Sequence, residues 1–185
     1  MHTIVREVTV HCQAEELVLY KALKEHGMAK EMEHDKGQSP SSHSSVGSSL
    51  SLSRADMYSL LSPADDHVKM DKMFAYIDPL RPNAPNYAHH VTESVDLFLK
   101  HSDEEEAYLP ALISKLSEQE NTRITKEFLK ARTTVPTHPH PSSPHSGGFA
   151  QKMFNTFEKM GDQIADAVGP KREYVEVAQT HAMVV

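Results

Sequence analysis

The sequence has no tryptophan and only one cysteine, Cys12. A single cysteine excludes an intrachain disulfide and fits a reducing compartment, so a cytoplasmic protein is expected. There is no apolar run long enough to cross a bilayer, and the N-terminus lacks the apolar core of a secretory leader. Basic residues form no stripe, and the formal net charge is −7, which argues against nucleic acid as a partner. Hydrophobic residues make up 38%, below the usual globular share, so part of the chain is not expected to pack. No alternation of period two extends over several segments, which leaves no basis for a sheet. Phosphate-binding loops, nucleophile elbows and HExxH are all missing, and the residues name no reaction.

What is plentiful is histidine, with 13 residues. Excess histidine means either metal ligation or solvated low-complexity sequence, and position decides between them. From about Thr3 to Lys30 the aliphatic residues Ile4, Val8, Val18, Leu19, Ala22 and Leu23 recur at helical spacing, with Gly27 as a stop. A short charged piece, "KEMEHDK", follows. Residues 37–61 begin as "GQSPSSHSSVGSSLSLS", a serine-dominated segment without period that reads as a disordered insertion. Ser62, Pro63, Asp65 and Asp66 make a helix start, and Val68, Met70, Met73, Phe74 and Ile77 supply its apolar face.

After the proline-rich turn "DPLRPNAPN", a long helix is expected from Tyr87 to Leu116, kinked or ended by Pro110. Ser117-Glu118-Gln119-Glu120 is a capping box, opening a helix with Ile124, Phe128 and Leu129. Residues 135–148, rich in proline, histidine and serine, read as a linker. Phe149, Met153, Phe157, Met160 and Ile164 mark an amphipathic helix over 149–168, suited to docking on the core or on a partner. Residues 169–185 form a tail with a β-like run, "EYVEVA", that has no assigned place. The fold class is all-α, an antiparallel helical bundle over residues 3–134 interrupted by the insertion.

Two stretches echo one another: "HCQAEELVLYKAL" from His11 and "HSDEEEAYLPAL" from His101. Residues four apart share a helix face. His11 and Glu15 therefore fill the middle of the stripe formed by Ile4, Val8, Val18, Leu19 and Ala22. His101 and Glu105 do the same among Val91, Val95, Phe98, Leu109 and Leu112. His67 lines up with Met70, Phe74 and Ile77, so three helices each point a histidine inward. An unpartnered buried carboxylate costs several kcal/mol. A cation held between helices removes that cost, and imidazole with carboxylate suits iron, zinc or manganese. The competing reading is a hydrogen-bonded core histidine or a solvated i, i+4 pair; two matching motifs and a third inward histidine weigh against it.

The other histidines carry less. His34 is a candidate ligand or supporting group. His89 and His90, at a helix start, are expected to be solvated. His138, His140 and His145 fall in the linker, and His2, His43 and His181 in segments expected to move. Cys12 points to an adjacent face and reads as a small packing residue.

The stretches "REVTVHCQAEELVLYKAL", "EHDK" with "DHVKMDKMF", "FLKHSDEEEAYLPAL" and "VPTHPHP" resemble the hemerythrin-like, or HHE cation-binding, domain family, most closely its cytosolic fungal-type members. They span most of residues 5–141 apart from the serine-rich insertion. The resemblance implies an up-down four-helix bundle holding a non-haem di-iron centre. Its metal ligands here would be His11, Glu15, His67, His101 and Glu105, and its role dioxygen binding or the sensing of iron or oxygen. The family has a further N-terminal helix with another histidine ligand, and only ten residues precede His11. On this alignment the bundle is a wall short at its N-terminal end, and the centre holds two irons, one metal or none. The open face, or helix 149–168, is then offered to a second copy or a protein partner. No membrane partner is expected. The alternative is a metal-free helical interaction module, or a truncated product with an impaired site. Elemental analysis separates them.

Overall fold

The computed structural model describes residues 1–29, 63–143, 149–169 and 171–175. The serine-rich insertion, the Ser62 cap, His34, His43, His145 and His181 lie outside them. The described residues form six helices and no strand: α1 His2–Leu17, α2 Leu19–Glu25, α3 Pro63–Ile77, α4 Tyr87–Ile113, α5 Glu118–Thr134 and α6 Phe149–Val168. None is long and apolar enough to cross a membrane.

Where one helix is expected from Thr3 to Lys30, α1 and α2 follow one another across Val18, whose backbone leaves helical geometry at φ −122°. Val18 N–H still bonds Ala14 O at 3.1 Å, and Ala22 N–H bonds Val18 O at 3.0 Å, so the chain continues in nearly the same direction. The stop is a Schellman turn. Gly27 adopts φ +72°, Met28 N–H reaches back to Leu23 O at 2.7 Å, and Gly27 N–H bonds Lys24 O. Met28 then packs with Leu23 in the core.

Pro110 does not end α4, which runs on to Ile113 with the proline ring on its exposed side. A proline costs least where the lost hydrogen bond faces water and the helix is about to end. The capping box at α5 forms in both directions: Ser117 Oγ accepts from Glu120 N–H, and Glu120 Oε2 accepts from Ser117 N–H at 2.9 Å.

The α1–α2 arm is the centre of the bundle. Val5, Val8 and Cys12 of α1 meet Met70, Phe74 and Ile77 of α3 and Leu97 of α4. Tyr20 and Leu23 of α2 meet Tyr108 and Leu112 of α4. Ala14 and Val18 pack on Ala131 of α5. Each large aliphatic or aromatic side chain buried here contributes about 1.5–3 kcal/mol. The polar residues Gln13 and Glu16 of α1 are buried as well, 3% and 1% exposed.

Gln13 and Glu16 are covered by α6. Gln151 donates through Nε2 to Gln13 Oε1 at 3.0 Å and to Glu16 Oε2. At this point α6 lies over the polar side of α1. α6 turns its polar side inward: Gln151, Asn155 and Asp162 are buried. Its apolar stripe, Met153, Phe157, Met160 and Ile164, faces outward, with Phe157 67% exposed.

Residues 135–143 also depart from expectation. They pack in the groove between α3 and α6 instead of being solvated. Val135 and His138 are buried, and the main-chain amides of Thr137 and His138 both donate to Asp162 Oδ2. His140 N–H donates to Asp71 Oδ1 of α3 at 3.1 Å. Residues 171–175 are irregular, not β, and are tied down by a two-pronged Arg172–Asp78 ion pair.

Candidate metal centre

The i, i+4 spacing does its work first. His11 Nε2 lies 2.9 Å from Glu15 Oε1 on α1, and His101 Nε2 lies 3.4 Å from Glu105 Oε1 on α4. Packing of α1, α3 and α4 then merges these pairs. His101 and His67 bring their Nε2 atoms to 2.9 Å, and Glu15 Oε2 stands 3.6 Å from His67 Nε2 and 3.7 Å from His101 Nε2. His11 Nε2 is 3.8 Å from Glu105 Oε2. All five residues singled out from the sequence therefore converge. Glu15, His67, His101 and Glu105 are buried, and His11 forms the half-buried edge against Phe98.

Two groups of four donors result, each with its ligand atoms within 4.8 Å of one another: His11, Glu15, His101 and Glu105, and Cys12, Glu15, His67 and His101. Cys12 was legible only as a packing residue. It does pack in the core, yet its thiol also borders the cluster, because α3 approaches α1 on the Cys12 side.

Around these groups lies a set of orienting contacts. Glu16 Oε1 takes a hydrogen bond from His67 Nδ1 at 2.9 Å, which leaves Nε2 pointing at the cluster. A carboxylate behind an imidazole in this way fixes the tautomer and raises the basicity of a metal-ligating histidine. Tyr20 stacks on His67, with its hydroxyl 3.2 Å from Nε2. Tyr108 donates to Glu105 Oε1 at 3.2 Å. Glu16 was missed in the sequence, although its position beside Glu15 in "AEEL" was a signal that a second carboxylate flanked the ligand face.

The electrostatics are those of too much negative charge in too little space. Burial, then the neighbouring Glu15 charge, pushes the Glu105 carboxyl far above the usual range, so it holds a proton. Burial opposes ionisation of Glu15 too, but the adjacent His101 and His11 imidazoles outweigh it and hold this carboxyl well down. Burial lowers His101 despite its contact with Glu15. Burial, together with Glu15 and Glu16, raises the Cys12 thiol. Glu15 Oε2 is buried without a hydrogen-bond partner among the described residues. The neighbouring imidazoles keep Glu15 ionised, and its Oε2 is left as a buried acceptor with no donor of its own. A divalent cation there would give it a partner, and the nitrogen and oxygen donors are of the type that binds iron, zinc or manganese. The residues fit a metal ion on these grounds.

An all-α bundle with buried histidines and carboxylates converging from three helices fits a metal-binding helical bundle. The chain is 32% identical over 102 residues to an uncharacterized hemerythrin-like protein of Schizosaccharomyces pombe, a match that covers 55% of this chain and 50% of the relative. This similarity supports a hemerythrin-like family for the chain, which spans about half the length of that relative. No family model matches the sequence, and no solved structure matches it.

Proposed function

We propose that this chain is a non-haem iron protein that binds dioxygen or senses iron or oxygen, with a dinuclear centre held by His11, Glu15, His67, His101 and Glu105. The observation that carries the reading is Glu15 Oε2, buried and unpartnered, facing two imidazole nitrogens from two other helices. Glu15 and Glu105, from facing helices, are the carboxylates suited to bridging. His11 and His101 flank one side, and His67 supplies the other.

Bound iron would supply affinity for dioxygen and one-electron redox chemistry. This chain's own residues do the rest. Glu16 keeps His67 in the tautomer with Nε2 free, and Tyr108 steadies Glu105. Glu105, whose neutral form is favoured by burial beside Glu15, would give its carboxylate to a bound cation on losing its proton to solvent. Phe98, stacked edge-on against His11, shields the half-buried side. The low exposure of the remaining ligands keeps bulk water from competing.

The test is iron(II) reconstitution of the full chain, with elemental analysis and visible spectroscopy in air. About two irons per chain, with oxo-bridge charge-transfer bands, is the expected result. No metal retained after reconstitution, with folding unchanged in His101→Ala, favours the metal-free interaction module instead. That second reading draws on one observation: the outward apolar stripe of α6 is the kind of surface that marks interaction sites.

A further inference from the structure

We infer that the two metal positions are chemically different, and that Cys12, His67 and Glu15 form a thiolate position for a borderline-soft divalent cation of the zinc class, beside the nitrogen–oxygen position of His11, His101 and Glu105. The inference rests on the metal-binding reading above and divides its ligands.

The division follows from donor counting. His101 presents one ring nitrogen, Nε2, to the cluster, so it serves one metal at a time. It borders both groups, 2.9 Å from His67 Nε2 and 3.4 Å from Glu105 Oε1, and taking it with Glu105, its i, i+4 partner, leaves the other group three donors. Glu15 has two oxygens that diverge: Oε1 lies against His11, and Oε2 against His67. It can therefore belong to both positions. What remains on the far side is His67, already oriented by Glu16, and the Cys12 sulfur within 4.8 Å of the same donors.

A lone thiol near a histidine would mean little. Here a second feature points to a ligand: the 97%-buried Glu15 directs its unpartnered Oε2 to this side. A void of about 10 Å³ also lies beside Cys12 and His67, lined further by Thr9, Gln13, Met70 and Asp71 but not by Glu15. That is room for roughly one water-sized ligand.

Three protein donors, one of them sulfur, with one small open space, match the pattern of an open tetrahedral zinc position. Thiolate selects softer cations than carboxylate and imidazole alone do. On binding, the Cys12 S–H bond breaks, the sulfur lone pair forms the metal bond, and the proton leaves to solvent. No oxidant or reductant is involved.

Cobalt(II) chloride titrated into the metal-free full chain under reducing, anaerobic conditions reads this directly. The expected result is a thiolate-to-cobalt charge-transfer band in the near ultraviolet, bleached by added zinc chloride. In Cys12→Ser the band disappears and about one metal equivalent of about two is lost, while the other stays. Should the variant fail to fold, zinc-edge X-ray absorption of the unaltered zinc-loaded chain decides the matter, with about half a sulfur per zinc expected when about two zincs are bound. Metal bound with only nitrogen and oxygen neighbours overturns this inference and leaves the metal-binding reading standing. A chain that takes up neither cobalt nor zinc nor iron overturns both.

Discussion

The molecule contains two clusters of histidine and carboxylate, and they are built to opposite ends. In the α1–α3–α4 cluster, three histidines and two glutamates leave a buried oxygen of Glu15 without a partner and force Glu105 to hold a proton. In the α6 cluster each histidine has its carboxylate, although Glu158 Oε2 and the amide atoms of Asn155 are buried without a hydrogen-bond partner among the described residues. His140 Nε2 bonds Asp162 Oδ1 at 2.9 Å, His138 Nε2 bonds Asp166 Oδ1 at 3.0 Å, and Asp162 Oδ2 accepts two main-chain amides. The second cluster fastens residues 135–143 onto α6. The first gathers its donors round one point, an arrangement that would suit a cation. Histidine beside carboxylate is therefore not in itself a metal signature; what separates the two, among the described residues, is that only the first brings four candidate ligand atoms within 4.8 Å of one another.

Breaking this contrast at its strongest point means Glu15→Gln. Metal affinity is expected to fall by more than about 100-fold, and the metal-free protein to melt somewhat lower, since the carboxylate that faces the His11 and His101 imidazoles has lost its charge. Elemental analysis and thermal unfolding read the two arms. A metal content equal to that of the unaltered chain would show that Glu15 is not a ligand. Glu16→Gln probes the orienting contact to His67, and about a 10- to 100-fold loss of affinity is expected, measured by competition with a metallochromic chelator.

Asp162→Asn attacks the α6 cluster. It is expected to cost about 1–3 kcal/mol in urea unfolding, through weakened charge-assisted hydrogen bonds, and to leave metal content as it was. A drop in metal content would mean the two clusters are coupled.

The smallest effect is in pH. Burial works against charge on both partners of the clasp, but their mutual hydrogen bond prevails. His140 is raised above its ordinary 6.5, and Asp162 is lowered below its ordinary 3.8. The histidine contribution is whole below pH 6.5 and fades as pH rises through the raised value; the aspartate contribution is whole above pH 3.8 and fades as pH falls through the lowered one. Residues 135–143 are expected to be best protected from amide exchange at about pH 4–6.5. Metal uptake at the other cluster runs the other way and strengthens as pH rises, because protons compete for its donors. Parallel pH trends in the two would erase the distinction drawn here.

Much of this was legible in the residues. The apolar spacing marks each helical segment, the Ser117–Glu120 box forms as read, and Gly27 stops α2 because only its backbone tolerates φ +72° at no cost. The i, i+4 pairs His11–Glu15 and His101–Glu105 follow from helix geometry alone. The interruption at Val18 was hidden, since its neighbours keep the helical pattern. The pairing of His138 and His140 was hidden too, because their partners lie more than twenty residues on, at Asp162 and Asp166.

The sequence by itself determined which residues share a face of each helix, for a 3.6-residue period leaves no choice in that. Only the tertiary structure decided what each face meets. It turned the polar stripe of α6 inward onto Gln13 and Glu16, although its apolar stripe is the stronger sequence feature. It also brought α3 to the Cys12 side of α1, so that a residue one step from the ligand stripe borders the cluster with Glu15 and His67. Period is local, set by backbone hydrogen bonds within a helix. Facing is set by the best joint solution for burying every apolar and polar group of several helices at once, and no single segment contains that information.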